Sequence, residues 1–561
     1  MSAVFAFDKS CSKRGIHLKE SFRKLIAFSH FESLSPTRHP KPSCGTPAAL
    51  SNDVPSTGHK EILVKSFPHS RLTRLAAALA LATTAAGANA ATTWYVATTG
   101  NDASPGTLAA PWKTINHAAQ VATAGDTVDV RAGTYKEYVT VANSGSASAG
   151  YITFQNYAGE SPIVDGTGVS CCGGNGSIRG LFNILGKSYV KVSGFEIRNF
   201  KSTTNTNEPA GIYVTGSGSY IQILNNKVHD IVTTAEGNNG NAHGIGIYGT
   251  AATPYSYVTL SGNEVYNNKT GWSETITLDG NVTNFTVTNN VVHDNDNIGI
   301  DAAGWWGMGP SGHDQTMIGT ISGNTVYNIT SVNNAAYAGS MGADAIYCDG
   351  CTQVTIERNL VHNADIGIEA ASEISGHVAS AVTIRDNLVY DTGLVDITIG
   401  GYDSTVGGSD SITVVNNTLY QSASAQGNGF QVQYKATNNV FKNNVVYISN
   451  GGSFLYYFTS LKTTPVAMDD NLYYATTNPS WVWKNKGYSS LSSFASASAQ
   501  DAHSKYADPL FLNLAGHDFH VLGNSPAVGA GTNLGASVVG ATDFAGNPRV
   551  VGAIDIGGYE Q

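Results

Sequence analysis

A ten-residue pattern that recurs along the middle of the chain constrains the fold more than any other feature. Two good copies begin at Val354 and Val382, and both run Val-Thr-Ile, two variable residues, Asn-Leu-Val, then His or Tyr. Copies follow one another at intervals of 27 to 37 residues, and such a unit with loops of variable length predicts a solenoid. An asparagine occupies one aligned position in eight copies, and Asn471 is a candidate ninth. The eight are Asn226, Asn263, Asn290, Asn324, Asn359, Asn387, Asn417 and Asn444.

Each copy predicts short β-strands, because apolar and polar residues alternate along it. Val354, Ile356 and Val361 would point inward, whereas Thr355 and Glu357 would point outward. One coil cannot bury such an apolar row alone, but coils stacked about 4.8 Å apart share a continuous core. We therefore predict an all-β fold, a parallel β-helix in which the aligned asparagines form hydrogen-bonded ladders at a bend. The 62 glycines and the charged fraction of 13% suit its many tight turns.

Residues 69–90 have the organisation of a secretory signal. Arg71 and Arg74 give a positive start, a short apolar run extends to Ala82, and a small-residue cleavage pattern ends at Ala90. The apolar run is too short to span a membrane. We expect a secreted or periplasmic protein, cleaved near Ala90, with no membrane span.

The rest of the chain divides into three further parts. Residues 1–68 are polar and basic without a repeat, so we expect a non-structural leader and hypothesise that translation starts near Val64. Residues 91–475 are the predicted β-helix, and 476–561 its C-terminal cap. A short amphipathic helix from Thr114 to Ala122 would cover the N-terminal end, where an open sheet edge invites aggregation.

The net charge limits the possible binding partners, and the cysteine spacing limits the possible disulfides and metal sites. A net charge of −10 without a basic stripe excludes a typical nucleic-acid binder. Cys348 and Cys351 are spaced for a small disulfide in an oxidising compartment. Adjacent Cys171 and Cys172 are not expected to bond to each other, because the geometry is strained. A zinc site would need a second pair at suitable spacing, and a redox motif would need a surrounding βαβ pattern.

Several motifs carry a resemblance to a known family. The opening Tyr95-Val96, Gly100-Asn101-Asp102 and Pro111-Trp112-Lys113-Thr114-Ile115, together with the coils, resemble secreted right-handed parallel β-helix proteins of the pectate-lyase superfamily. Within that group the chain is most similar to polysaccharide lyase family 9 and its uncharacterised relatives. The closing segment from Asp543 to Arg549 is similar to one that ends many such surface proteins. The resemblance implies the fold over residues 92–561, and the fold alone does not specify a reaction.

Carboxylates recur on one strand of successive coils. We aligned these strands by the inward residues Ile247, Ile276, Ile300, Ile346, Ile368 and Ile397. This register predicts that Asp279, Asp301, Asp349 and Glu369 share one outward face, about 5–10 Å apart. Asp344 and Glu274 would precede the strands, and Glu373 and Asp403 would follow them. Stacked carboxylates repel one another, so the pattern predicts a functional site, with raised pKa values or a bound cation.

Aromatic and histidine residues lie near this predicted stripe. Their flat rings suit sugar binding, although packing within loops explains them equally well. The candidate substrate-binding residues are Trp305, Trp306, Tyr347, Tyr402 and His377. His313 is a further loop histidine beside the same face, whereas His229, His293 and His362 occupy a repeat position shared with tyrosine and are expected to be structural.

The first predicted chemistry, which the overall resemblance favours, is that of a polysaccharide lyase: β-elimination on an acidic, uronate-containing polysaccharide. Asp279, Asp301, Asp349 and Glu369 would hold Ca²⁺, which prefers several oxygen ligands and would neutralise a uronate carboxylate. A base must then remove the α-proton. The resemblance to family 9 implies a lysine beside an aspartate cage, and Lys435 is the candidate.

The second predicted chemistry is glycoside hydrolysis by two carboxylates of neighbouring coils, near the roughly 5 Å separation of a retaining pair. Asp349 with Glu373, or Asp344 with Glu369, would serve, and some β-helix xylosidases are similar in this respect. A third interpretation is a non-catalytic glycan-binding protein or adhesin. In each case the expected partner is a polysaccharide, and the protein is expected to be a monomer.

Overall fold

The computed structural model describes residues 91–561 except 175–178, 235–239 and 458–465. The expected leader, 1–68, and the expected signal, 69–90, lie outside the described residues. Three long sheets dominate the described part, and each coil contributes one strand to each sheet. The strands are parallel except for Lys486–Tyr488, which turns back antiparallel beside Trp481–Trp483 at the end of the second sheet. The predicted all-β parallel β-helix is therefore confirmed.

The first sheet contains sixteen strands, three of them short additions beside the main path. The main path is Thr93–Val96, Thr127–Val130, Ile152–Asn156, Val190–Ser193, Gly218–Leu224, Tyr255–Ser261, Val282–Thr288, Met317–Ser322, Thr352–Glu357, Thr383–Arg385, Thr413–Val415, Asn439–Lys442 and Val466–Asp469. The additions are Val378–Ser380, Gly408–Asp410 and Ala436–Thr437.

The second and third sheets contain thirteen strands each. The second comprises Val139–Thr140, Gly180–Leu185, Ala210–Gly216, His243–Gly249, Ile276–Gly280, Ile300–Ala302, Asp344–Asp349, Ile366–Ala371, Val395–Ile399, Asn428–Val432, Leu455–Tyr457, Trp481–Trp483 and Lys486–Tyr488. The third comprises Gly133–Tyr135, Pro162–Asp165, Glu196–Ser202, Lys227–Thr233, Glu264–Tyr266, Val291–Asn295, Thr325–Ile329, Leu360–Ala364, Leu388–Tyr390, Thr418–Gln421, Val445–Ile448, Leu472–Ala475 and Lys505–Tyr506. Solenoid strands thus extend past the expected boundary at residue 475.

The few helices are short. The α-helices are Ile115–Val121, Leu491–Ser498 and Ala536–Val539, and the 3₁₀-helices are Cys171–Gly174, Ala335–Tyr337 and Leu514–Gly516. In the first helix the hydroxyl of Thr114 caps the amide of His117, and the apolar side chains of Ile115, Ala118 and Ala119 are buried. That this helix covers the end of the solenoid stays a prediction. None of the helices in the described part of the chain has the length and apolar character needed to cross a bilayer.

The aligned asparagines form the predicted ladder. Oδ1 of Asn359 accepts bonds from the backbone amide and the side-chain amide of Asn324, at 3.0 and 2.9 Å. Asn359 in turn donates both its own amides to Oδ1 of Asn387. Each asparagine lies at the bend between a strand of the first sheet and one of the third, directly after a left-handed residue such as Arg358. Asn471 accepts the amides of Asn444, so it is the ninth member.

A second ladder, of aromatic rings, follows the third sheet. His229, Tyr266, His293, Tyr327, His362 and Tyr390 stack with centroids 4.6 to 5.1 Å apart. His293 and His362 thus pack between tyrosines of neighbouring coils, and His229 stacks on Tyr266 at the start of the ladder, in agreement with the structural role expected for them.

The C-terminal segment returns along the side of the coils. Asn416 donates its side-chain amide to the carbonyl of Asp555, and the amide of Gly558 donates to Oγ1 of Thr418. Arg549, 1% exposed, lies 3.4 Å from the carboxylate of Asp386 on a middle coil. This segment therefore joins several coils laterally.

The cysteine pairing matches one expectation and contradicts another. Cys348 bonds to Cys351, as their spacing suggested. Cys171 bonds to Cys172, so the expectation that these neighbours remain separate was wrong. Cys172 adopts a left-handed backbone (φ 64°) within a 3₁₀ turn, and this turn brings the two side chains together.

Candidate active site

The second sheet sets the register of the candidate site. Ile300, Ile346, Ile368 and Ile397 pair directly across consecutive strands. The residues that follow them, Asp301, Tyr347, Glu369 and Thr398, therefore form one row on the outer face. This is the predicted register.

In the first coil of that alignment, the observed strand register is shifted by two residues from the predicted one. Ile276 pairs with Ile245, not with Ile247, so Asp279 lies beside Tyr248. Strand His243–Gly249 contains Gly-Ile twice, at Gly244-Ile245 and Gly246-Ile247, and the sequence pattern could not distinguish the two.

The carboxylates point away from the coil interior and are nevertheless buried. Asp279, Asp301, Asp344, Asp349 and Glu369 expose 3 to 7% of their surface. Three segments that follow strands of the second sheet, at 303–316, 372–377 and 400–407, fold over this face together with segment 330–343, which leads from the third sheet into strand Asp344–Asp349. The repeat pattern contains no signal for these loops, so the sequence predicted a surface stripe where the structure has a covered pocket.

Seven carboxyl groups influence one another here, and we call them the acidic cluster. They are Glu274, Asp279, Asp301, Asp344, Asp349, Glu369 and Glu373. Burial is the main cause that raises the pKa of every member, and the charges of neighbouring carboxylates raise several further. The pKa of Asp349 rises to about 7, that of Glu274 to about 7 and that of Glu369 to about 8. Among the described residues, no lysine or arginine forms an ion pair with the cluster.

Asp349 has the best-defined environment in the cluster. Its carboxylate accepts the indole N–H of Trp306 at 2.5 Å and the backbone amide of Glu373 at 2.8 Å. Both bonds favour the ionised form and counteract the effect of burial on its pKa. The next residue, Gly350, has φ +76°, and a Cβ there would come within 2.8 Å of Cδ1 of Trp305. The turn after Asp349 therefore requires glycine.

Asp344 and Glu369 form a hydrogen-bonded carboxyl pair. Burial raises both pKa values, and the shared bond raises that of Asp344 further while lowering that of Glu369, so Asp344 holds the proton. Oδ1 of Asp344 and Oδ1 of Asp301 are buried without a hydrogen-bond partner. Two acceptor atoms of the cluster are thus unsatisfied, which is rare for buried polar groups and marks a functional region.

The aromatic residues surround the cluster. Trp305 stacks on His377 with ring centroids 4.1 Å apart. Tyr347, 3% exposed, lies between Asp301 and Glu369 in the row on the sheet. Tyr402 is half-buried, and its pKa is raised by burial and by the charges of Glu373 and Asp349. The predicted substrate-binding residues therefore lie together around the carboxylates.

Sequence reasoning missed two residues of this region. The ring of Tyr337 lies 5.2 Å from that of Trp272, and burial and then the charges of Glu373 and Asp344 raise the pKa of this tyrosine, so it belongs to the surroundings of the cluster. Asp314 accepts the amides of Gly307 and Gly309 and shapes the loop that carries both tryptophans. The Gly-Met-Gly-Pro stretch before Asp314 marks a turn, whereas nothing in the sequence singles out Tyr337.

Two predicted candidates lie apart from the cluster. Lys435, the expected base, is exposed and donates its ammonium to the carbonyl of Val406, not to a carboxylate. His313 is exposed at the tip of its loop. The lysine predicted for proton abstraction is therefore not in position to perform it.

The four predicted calcium ligands do not converge. In the described ranges, the side chains whose ligand atoms all approach within 4.8 Å of one another are Asp469, Asp470 and His503, outside the cluster. The oxygens of Asp279, Asp301, Asp349 and Glu369 are of the type that calcium prefers, but they do not fit a preformed site.

Comparison with known proteins identifies the family. The sequence model described as "Pel9A-like, right handed beta helix region" matches residues 94–247, and the model "Right handed beta helix region" matches residues 311–493. The Bacillus subtilis protein named "Uncharacterized protein YwoF" is 36% identical over 439 residues, 77% of this chain and 91% of that protein. The chain belongs to the YwoF family of right-handed β-helix proteins. The resemblance to the Pel9A-like proteins and their uncharacterised relatives is thereby confirmed.

Other similarities of this YwoF relative are shorter or more distant. "Pectate lyase PEL9" of Emericella nidulans is 43% identical over 74 residues, 13% of this chain and 18% of that protein. The solved structure titled "The complex structure of XylC with xylose" covers 83% of this chain and 98% of its own at 13% identity, with a TM-score of 0.44. The Pel9A-like match ends at residue 247, before the first member of the acidic cluster, Glu274.

Proposed function

We propose that this protein is a secreted carbohydrate-active enzyme that hydrolyses glycosidic bonds, with Asp349 and Glu373 as its carboxyl pair. The observation that supports this most is the paired hydrogen bonding of Asp349, from Trp306 and from the amide of Glu373. An enzyme of this type needs two carboxyl groups whose environments separate their pKa values, one ionised and one protonated.

The two groups differ in the required sense. Two donors stabilise the charged form of Asp349. Burial and then the charges of Asp349, Glu369 and Glu274 raise the pKa of Glu373 well above its ordinary value, which favours its protonated form. Glu373 also belongs to a loop and is less buried than the members of the cluster on the strands.

The other predicted pair suits this reaction less well. Asp344 and Glu369 are hydrogen-bonded to each other, which brings them closer than the separation of about 5 Å that a retaining pair uses. Asp344 and Glu369 instead suit a supporting role. Because they share one proton, the pair carries a negative charge near Glu373, and this charge keeps the pKa of Glu373 high.

In the proposed reaction Glu373 gives its proton to the glycosidic oxygen as the bond to the anomeric carbon breaks. Asp349 attacks that carbon and forms a glycosyl ester. Water then attacks the same carbon, Glu373 takes a proton from the water, and Asp349 leaves as the carboxylate. The rings of Trp305, Trp306, Tyr347, Tyr402 and His377 would contact the sugar.

Kinetics on aryl glycosides test this assignment. Asp349→Asn is expected to lower kcat by about 10³-fold or more for every leaving group. Glu373→Gln is expected to lose about 10²–10⁴-fold with poor leaving groups, much less with 2,4-dinitrophenyl glycosides, and to regain rate with azide. Asp294→Asn, a carboxylate outside the cluster, is the control. Full activity of Asp349→Asn would remove it from the site, and binding of glycans without any turnover would indicate an adhesin.

The second candidate is β-elimination on a uronate polymer. The Pel9A-like match and the 74-residue similarity to a pectate lyase favour it. It predicts absorbance near 235 nm during digestion of polygalacturonate, dependence on added Ca²⁺ and loss with EDTA. Release of reducing ends without that absorbance would support hydrolysis instead.

A further inference from the structure

The loop between the two tryptophans and Asp314 covers the pocket toward the N-terminal coils. A Cβ on Gly280 would approach the Cβ of Met308 and the amide of Gly309 to 3.1 Å, so this loop rests directly on the strand of Asp279. Met308 also packs against Tyr248, whose hydroxyl is 2.8 Å from Nε2 of His243. One end of the pocket is thus closed by packed side chains.

A second loop, residues 400–407, closes the pocket toward the C-terminal coils. Gly401 and Tyr434 exchange two backbone hydrogen bonds, of 2.8 and 3.0 Å, which tie the start of the loop to the next coil. At the other end, Lys435 donates its ammonium to the carbonyl of Val406. The loop is therefore held at both ends by adjacent residues of one coil.

This second loop presses on the segment that carries Glu373. Gly407 has space for no side chain, because a Cβ there would meet the carbonyl oxygens of His377, Ile374 and Ser372 at 2.4 to 2.7 Å. The amide of Gly408 also donates to the carbonyl of His377. The position of the loop and that of the 372–377 segment are therefore coupled.

From these two loops, which we call the N-terminal wall (residues 303–316) and the C-terminal wall (residues 400–407), we infer that the enzyme removes sugars from the end of a glycan chain. Lys435 is then a positioning residue that holds the C-terminal wall. A polymer lying along the solenoid would have to cross both Met308 and Tyr402, whereas a chain that ends between the two loops would cross only one of them. The inference rests on the proposed function and adds the substrate class, terminal residues of oligosaccharides, and a role for Lys435.

Without the Lys435 ammonium, loop 400–407 should move more freely, and the enzyme should then also cleave internal glycosidic bonds of the glycan. The probes are xylohexaose, β-1,4-galactohexaose, arabinohexaose and hexagalacturonate, each labelled at the reducing end with 2-aminobenzamide and followed by chromatography over the first 5% of conversion, roughly the single-cleavage range. Wild-type enzyme is expected to give one labelled product, shortened by a terminal unit. Lys435→Met is expected to increase internal fragments at least about tenfold, and Lys435→Arg, which keeps a donor, far less.

Matched variants separate this effect from general damage. Lys442→Met changes a lysine of the same coil that pairs with Asp470 outside the pocket, and it should retain the wild-type product. Tyr402→Gly removes a bulky side chain of the C-terminal wall without altering Lys435, and it should produce internal fragments as Lys435→Met does. Thermal melting followed by circular dichroism verifies that each variant is folded.

Three results would overturn the inference, and they are distinguishable. Internal cleavage by the wild type from the start would contradict chain-end action while leaving hydrolysis in place. Wild-type products from folded Lys435→Met would remove its positioning role. Inactivity of the wild type on all four probes and on aryl glycosides would refute the proposed function and this inference with it.

Discussion

The indole of Trp306 donates a 2.5 Å hydrogen bond to the carboxylate of Asp349. Burial raises the pKa of Asp349, and a donor of this kind opposes burial because it stabilises the charged form, so that the pKa is about 7 with the bond in place. The reactivity of Asp349 at neutral pH therefore depends on a side chain that lies 43 residues away in sequence and on a loop.

The pH dependence of kcat tests this relationship. Asp349 must be ionised, so the rate should fall as pH decreases through about 7, and it should fall again at higher pH as Glu373 loses its proton. Trp306→Phe should move the acidic limb upward by about one to two pH units, since a bond to a charged group contributes roughly 1.5–3 kcal/mol. Trp94→Phe breaks another indole–carboxylate bond, to Asp126, and should leave the profile unchanged. An unmoved acidic limb in Trp306→Phe would contradict the assignment.

The buried cluster should make the protein less stable as pH rises. Burial raises the pKa of Glu369 from its ordinary 4.5 to about 8, so the folded state binds its proton more tightly than the unfolded state. The free energy of unfolding should therefore decrease between pH 4.5 and 8, and Glu369→Gln should flatten that decrease. Thermal unfolding at several pH values, with EDTA present, measures it.

A carboxylate with the opposite shift provides the control. The pKa of Glu264 is lowered by its hydrogen bond with Lys227, so its contribution is present at neutral pH and is lost on acidification. Glu264→Gln should therefore change only the acidic side of the stability curve. Equal slopes for wild type and Glu369→Gln would show that Glu369 is not neutralised by folding.

The asparagine ladder should contribute strongly to stability. Asn359→Ala removes the acceptor of two amide groups of buried Asn324, and unsatisfied buried groups cost about 1–3 kcal/mol each. We expect a loss of about 2–5 kcal/mol in urea unfolding. Asn333→Ala, at an exposed turn, should change stability by less than about 0.5 kcal/mol. A loss as small as that of Asn333→Ala would argue against the ladder.

The C-terminal segment should depend on one buried cation. Arg549 lies 3.4 Å from Asp386, 3.5 Å from Glu560, and donates to the carbonyl of Asp555. Arg549→Met leaves two buried carboxylates without this partner and should cost about 3–5 kcal/mol. Limited proteolysis should then cleave after residue 525, whereas Arg131→Met, at an exposed ion pair with Glu160, should not alter the digestion pattern. Unchanged protection of the segment in Arg549→Met would contradict this role.

Sequence periodicity predicted the solenoid because its determinants are local and repeated. Each coil contains the alternation and the asparagine that its neighbours require, so Asn359 and Asn387 identify the same position without structural information. The row of Asp301, Tyr347 and Glu369 follows from the same periodicity. The error at Ile247 arose where the strand itself contains a short internal repeat.

The loops could not be predicted in this way, because each occurs once. Burial of Asp349, the contact of Tyr337 with the pocket and the attachment of Lys435 to Val406 depend on how four unlike loops pack together. The position of Lys435 along the solenoid made it a candidate base. Its side chain instead points toward loop 400–407, where the ammonium binds the carbonyl of Val406. Calcium binding, secretion and the monomeric state stay predictions.

The last asparagine meets different partners. The side-chain amide of Asn471 donates to Asp501, and its backbone amide donates to Oγ of Ser504, where another asparagine would otherwise stand. Between Asn263 and Asn444, every asparagine accepts two amides from the preceding one and donates two amides to the next. A duplicated rung inserted there meets matching surfaces above and below, so duplication within the gene can lengthen such a protein while its chemistry stays the same.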